Sequence, residues 1–189
     1  MKKILLFASG NGSNVENIIQ YFKNNKEVSI LGVFSNNPEA KVLAIAKSYN
    51  ITSYVFNRNE LNEGFVLKKI NELQPDLIVL AGFLWKMPEE IIQQYPNKII
   101  NIHPALLPKF GGKGMYGMKV HQAIIENKES TTGITIHYVN EHYDEGEFIF
   151  QHQIAIVDCQ TPEAIATKVN QLEHEHFPKV IEKLLTSNS

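Results

Sequence analysis

The sequence predicts an α/β fold: a doubly wound, mostly parallel sheet that finishes in an antiparallel strand pair and one long helix. Three observations lead there. Short apolar runs alternate with amphipathic segments along most of the chain. Three of those runs are apolar at nearly every position, as expected of strands covered on both faces. Near the end, two strand-like runs follow each other with only a short polar stretch, EHYDE, between them, too little chain for a crossover.

Taken in order, KKILLFAS (2–9), VSILGVFS (28–35), TSYVFN (52–57), DLIVLAG (76–82) and KIINIHP (98–104) read as strands, the first, fourth and fifth being the continuously apolar ones. Helix candidates between them carry apolar residues three and four apart. One begins near Asn14 with Val15, Ile18, Ile19 and Phe22, and another near Glu39 with Val42, Leu43, Ile45 and Ala46. A third covers 64–73 through Phe65, Leu67, Ile70 and Leu73, and MPEEIIQQY offers a fourth with Pro88 at its first position. Alternation of this kind implies right-handed crossovers and a Rossmann-like arrangement. TGITIHYVN (132–140) and GEFIFQHQIAI (146–156) form the antiparallel pair, and Thr161-Pro-Glu opens the last helix, capped by Thr161 and running to about Leu185. No repeat, low-complexity tract or linker interrupts the pattern, so the expectation is a single domain over residues 1–189.

Composition narrows the function. Of 189 residues, 43% are hydrophobic and 20% charged, ordinary for a globular protein. A formal net charge of −2 argues against nucleic-acid binding by a coat of cations. Arg58 is the only arginine, so an anion must be held by backbone amides, hydroxyls or lysines rather than guanidinium forks. The single cysteine, Cys159, allows no internal disulfide and fits a reducing compartment. The opening MKKILLFASG imitates a signal peptide, but its apolar run is only about five residues, short of the 7–15 such a segment needs. No run approaches the roughly 18 apolar residues of a membrane span. The expectation is a cytoplasmic protein with no membrane and no nucleic-acid partner.

Three stretches carry chemistry. SGNGSN (9–14) joins the first strand to the first helix, where a parallel sheet presents its ligand loops. Gly10 and Gly12 allow close backbone approach and Ser13 and Asn14 can cap the helix, which suits an anion such as a phosphate. It is neither a dinucleotide fingerprint, because Val15 stands at the third glycine, nor a Walker loop. A plain capped turn is the alternative. At the end of the fifth strand, Asn101 and His103 are two apart and share a face, and Pro104 stops the strand there. An amide donor and a titratable donor side by side can meet one developing oxyanion; the alternative is a buried histidine bonded to a carbonyl. Asp144, in the turn HYDEGE, can orient His103 and favour its protonated form if the fold brings them together, or it can be turn chemistry alone. The pairs His137/His142 and His174/His176 lack the spacing of a zinc motif, so no metal is expected. Glu173 and His174 read as a solvated helix face, and no serine sits in a nucleophile elbow.

Together, FASGNGSN, GVFSN, LAGF, NIHPALLP, GITIHYV and DEGEFIFQ resemble, in order over about residues 3–180, the folate-dependent formyltransferase family, in its glycinamide ribonucleotide branch. The resemblance implies transfer of a formyl group from 10-formyltetrahydrofolate, as co-substrate, to the amine of glycinamide ribonucleotide in purine synthesis. It implies a direct transfer through a tetrahedral intermediate, without metal, between small-molecule substrates, in a monomer or weak homodimer. Carried over by position, Asn101, His103 and Asp144 match the catalytic trio. Gly12, Ser13 and Asn14 match the substrate-phosphate loop, and Glu173 matches a residue holding the ribose. Leu84, Trp85, Lys86 and Met87 match the pterin-pocket segment, and Asn140, Glu141, His142, Tyr143 and Asp144 match the folate loop, with Asn101 also on the folate side.

Departures from the pattern locate what is particular to this chain. Trp85 and roughly Asn62 stand where many relatives place arginines, which leaves Lys86, Lys109 or Lys113 to meet the folate carboxylates. The segment GGKGMYGMK between LLPKF and His121 is longer than usual, and its glycines suggest a mobile gate over the substrate. Competing readings are another 10-formyltetrahydrofolate-dependent formyltransferase or hydrolase, or a non-catalytic phospholigand-binding protein on the same scaffold. The first two carry an extra domain or a basic surface not evident here, and the third has no need of the Asn101/His103/Asp144 set.

Overall fold

The structure is a computed structural model, described here over residues 1–187. The apolar runs pair into one seven-stranded sheet made of β1 (Lys2–Phe7), β2 (Val28–Ser35), β3 (Ser53–Val55), β4 (Leu77–Leu80), β5 (Ile99–His103), β6 (Thr131–Tyr138) and β7 (Phe148–Ala155). Their spatial order is β3-β2-β1-β4-β5-β6-β7. The strands from β3 to β5 run parallel, and β6 and β7 add antiparallel to β5. From β1 the chain winds outward through β2 and β3, then returns to the other side of β1 with β4. The carboxyl ends of β1 and β4 therefore flank the point where winding reverses, the place an open α/β sheet offers a ligand.

Side-chain alternation along β1 shows why both faces must be covered. Ile4 and Leu6 enter one apolar core, and Leu5 and Phe7 the other. The first core lies under α1 (Ser13–Phe22), α2 (Lys41–Ser48), α6 (Met118–Glu126) and α7 (Pro162–Ser187). The second lies under α3 (Arg58–Asn62), α4 (Phe65–Leu73) and α5 (Glu89–Gln94). Phe7 anchors the second core: its ring stacks on Phe34 at 4.7 Å and meets Phe83 edge-on at 5.5 Å. Truncating so central an aromatic costs about 3–5 kcal/mol. Because Phe83 belongs to the segment after β4, this packing also fixes one wall of the cleft described below. Among the described residues no helix is long and apolar enough to cross a membrane.

Several expectations need correction. Pro88 lies one residue before α5, with ψ 143 outside the helical range. Neither Ser13 nor Asn14 caps α1: the cap position is Gly12, at φ 78, and no side chain closes the helix end. Two helices were not anticipated, α3 and α6. The final helix is as expected, with Thr161 Oγ1 accepting from Ala164 N at 3.2 Å.

Candidate active site

A cleft of about 1030 Å³ opens along the carboxyl edge of the sheet, between the loops after β1 and β4, the segment leading into α6, and α7. Its floor is the end of β5. Asn101 and His103 line the cleft as their two-residue spacing requires, and Asp144 lines it from the β6–β7 connection. What brings residue 144 to residue 103 is a tight reversal: a Cβ added at Gly146 would run into the Tyr138 carbonyl and come within 3.3 Å of His137 Nδ1. Only glycine lets the connection fold this closely over β6. Asp144 itself sits at φ 58, a left-handed conformation that aspartate tolerates better than most residues.

The polar atoms of this site are almost all committed. His103 Nε2 lies 2.7 Å from the Phe110 carbonyl, which can only accept, so Nε2 carries a proton. The opposite nitrogen, Nδ1, is 3.6 Å from Asp144 Oδ2, too far for a direct hydrogen bond. Asp144 Oδ2 accepts from Gly112 N at 2.9 Å, which ties the glycine-rich segment to the carboxylate. Burial holds the His103 imidazole below its ordinary range, against the upward pull of Asp144 and the Phe110 carbonyl. Asp144 does favour the protonated ring, but desolvation outweighs it and the resting imidazole is neutral near pH 7. For Asp144, burial pushes upward, yet the His137 ring, the His103 charge and the Gly112 N–H together leave the carboxyl below its usual value.

His137 is the member that sequence reasoning missed. It faces Asn101 across the antiparallel β5–β6 register, and its Nε2 is 3.1 Å from Asn101 Nδ2. Its Nδ1 lies 2.8 Å from the Tyr138 carbonyl, so the ring proton sits there and Nε2 accepts from Asn101. This fixes which way the Asn101 amide points. One of its N–H groups goes to His137, and the other faces Asp144 Oδ1 at a loose 3.5 Å. A small gap thus remains bounded by Asn101 Nδ2, His103 Nδ1 and the Asp144 carboxylate, with two donors or proton acceptors and one anion facing it.

The far end of the cleft is built by the first loop and α7. A Cβ at Gly12 would lie 2.7 Å from Val42 Cβ, so α2 and the start of α1 meet there backbone to side chain. Ser13 and Asn14 line the cleft, and Gly12 is buried behind them. Asn14 Nδ2 donates to Glu173 Oε2 at 2.8 Å. Glu173 is 8% exposed and therefore not on a solvated face; burial raises its carboxyl above the usual range despite the amides of Asn14 and Asn170. The loop after β1 is braced by Ser9, whose hydroxyl donates to Asn36 Oδ1 at 2.6 Å and accepts from Leu84 N at 3.0 Å.

Of the segment 84–87, Leu84 lines the cleft. Met87 is buried in the second core, Lys86 is exposed, and Trp85 is half-buried against Phe56. The guanidinium of Arg58 lies 4.3 Å over the Trp85 ring. In the segment 140–144, Tyr143 lines the cleft with Asp144, while Asn140, Glu141 and His142 lie outside its lining. Lys113 is on the cleft; Lys109 is paired with Glu129 at 2.9 Å. Among the described residues no group of three or more histidine, cysteine or acidic side chains is arranged to hold a metal ion.

Comparison with known proteins gives a consistent result. Residues 2–181 match the formyl transferase family. A phosphoribosylglycinamide formyltransferase of Bacillus subtilis is 36% identical over 195 residues, covering all of this chain and 97% of the relative. A chloroplastic protein of the same name from Arabidopsis thaliana is 36% identical over 187 residues, which span 95% of this chain but only 64% of that protein. A crystal structure of phosphoribosylglycinamide formyltransferase from Bacillus halodurans superposes with a TM-score of 0.89 at 32% identity, over 100% of this chain and 97% of the other.

Proposed function

The chain belongs to the formyl transferase family, and on that premise we propose that it transfers the formyl group of 10-formyltetrahydrofolate to the amine of glycinamide ribonucleotide, a step of purine synthesis. The observation that carries the reading is the convergence of Asn101 Nδ2, His103 Nδ1 and Asp144 around one gap in the cleft.

The acceptor amine attacks the formyl carbon held in that gap, and the carbonyl oxygen becomes an oxyanion. The second N–H of Asn101, aimed by His137, meets the oxyanion without reorganisation. The amine's proton passes to His103 Nδ1, the one ring position left open by the Phe110 carbonyl. The resulting imidazolium sits between Asp144 and the oxyanion, where the carboxylate stabilises it. The same proton leaves with the folate nitrogen as the tetrahedral intermediate collapses, so the transfer balances without a solvent proton. A neutral resting imidazole suits this cycle, because it must first accept.

Binding follows from the ends of the cleft. The uncapped first turn of α1, with Gly12, Ser13 and Asn14, offers N–H groups and the positive end of the helix to the acceptor phosphate. Glu173 is held for the ribose hydroxyls. Leu84 and Tyr143 take the pterin side, with the backbone of 140–144 available to its polar edge. With purified protein and both substrates, tetrahydrofolate and formylated acceptor should form in equal amounts; no transfer, with folate binding intact, would reject this acceptor.

A further inference from the structure

We infer that His121 is a positioning residue for the acceptor, its ring nitrogen Nδ1 hydrogen-bonding the secondary amide that lies next to the acceptor's reacting amine. The inference rests on the acceptor reading above and deepens it.

His121 stands in the first turn of α6, 5% exposed, and is among the residues that line the cleft. Its Nδ1 is fully buried and has no hydrogen-bond partner among the described residues. An unpaired polar atom buried in this way is costly to the fold, and a ligand that completes its hydrogen bond removes that cost. Two features locate the ligand atom. First, α6 packs on α7, with Val120 and Ile124 in the same core as Ile165 and Val169, so His121 lies toward the α7 wall that carries Asn170 and Glu173. Second, His103 lines the same cleft from its floor, and burial favours the neutral form of the His121 ring. A group between His103 and the α7 wall lies on the acceptor's path from amine to ribose. In glycinamide ribonucleotide one methylene separates the amine from a secondary amide. That amide offers both an N–H and a carbonyl, so either tautomer of a neutral His121 finds a complement. A charged ring would lose that freedom and repel the amine, which is a reason for its burial.

The test is atom-specific. Asparagine at 121 keeps a polar atom near the Nδ1 position, glutamine keeps one near Nε2, and phenylalanine keeps neither. Losing one such hydrogen bond corresponds to roughly tenfold. His121→Phe and His121→Gln should therefore raise the acceptor's KM and Kd by about tenfold with the folate Kd unchanged, and His121→Asn should restore most of the affinity. Should the variants fail to fold, the wild-type protein answers alone. Its His121 Nδ1 nitrogen-15 resonance should shift when glycinamide ribonucleotide is added without folate. A resonance that stays fixed while wild-type transfer proceeds would overturn the inference and leave the reaction standing. Absence of both transfer and acceptor binding in the wild type would instead remove the acceptor reading, and this inference with it.

Discussion

The two walls of the cleft are finished to different degrees. On the strand side, His103, His137, Asn101 and Asp144 are held by one another, by Gly112 N and by the carbonyls of Phe110 and Tyr138, with His103 Nδ1 left open for the proton it takes. On the helix side, two residues that line the same cleft, Asn14 and His121, each carry a buried polar atom, Oδ1 and Nδ1, with no partner among the described residues. The difference separates two tasks. A group that must meet charge appearing in a transition state gains from being fixed beforehand, because no reorganisation is left to do. A group that recognises a ground-state ligand can stay open, since the ligand supplies the missing bond. The strand wall is thus the place to look for effects on turnover, and the helix wall for effects on affinity.

The sharpest way to break that division is to remove the charge from the strand wall. Asp144→Asn keeps the shape and the acceptor atom for Gly112 N but loses the anion beside His103. Turnover should fall by at least about a hundredfold, as for other removals of acid–base or electrostatic groups, with little change in acceptor KM. His103→Ala should fall comparably. Near wild-type turnover in either would refute the assignment of roles while leaving the fold untouched.

His137 tests whether the wall works by positioning. His137→Phe removes the acceptor that orients Asn101, and the amide can then turn its oxygen toward the gap. The expected loss in kcat is about tenfold, the size of one hydrogen bond, with KM for both substrates held. A KM effect without a kcat effect would place His137 on the binding side of the comparison.

Much of this contrast could be read before the structure. All seven strands coincide with the expected runs, β6 starting one residue earlier at Thr131, because continuous and alternating apolar patterns each report one burial geometry. Asn101 and His103 were legible since neighbours two apart in a strand share a face. His137 was not, because its partner depends on the antiparallel register of β5 and β6, which spacing within β6 does not encode. Glu173 looked solvated because its cover comes from Asn14, 159 positions earlier in the chain. The helix α3 was missed although Asn57 and Glu60, which form a reciprocal capping box at its start, stand at the spacing that signals one. In α6 the apolar Val120 and Ile124 were overshadowed by the glycine-rich segment that runs directly into it. The segment 84–87 illustrates the limit of positional matching, for neighbouring residues there point into the cleft, the core and the solvent in turn.

The smallest effect tests what the helix wall costs the fold. Glu173 is buried with a raised carboxyl, so the folded state favours its neutral form. The stabilisation that neutral acid contributes is complete below the ordinary value of 4.5 and is lost as pH rises through the folded-state value. Glu173→Gln keeps an oxygen to accept from Asn14 Nδ2 but has no proton to lose. The variant should match the wild type in melting temperature near pH 4. It should exceed it by roughly 2–4 °C near pH 8, the response of a chain this size to about 1 kcal/mol. Acceptor affinity should fall at the same time, because a carboxylate draws ribose hydroxyls more strongly than an amide does. His103 and His121, both held below the ordinary histidine value, act with the opposite sign: their contribution is present above pH 6.5 and is lost as acid protonates them. In Glu173→Gln the acid-side loss should therefore persist while the alkaline-side loss disappears. An equal gain in melting temperature at pH 4 and pH 8 would show that Glu173 destabilises the fold by packing rather than by charge.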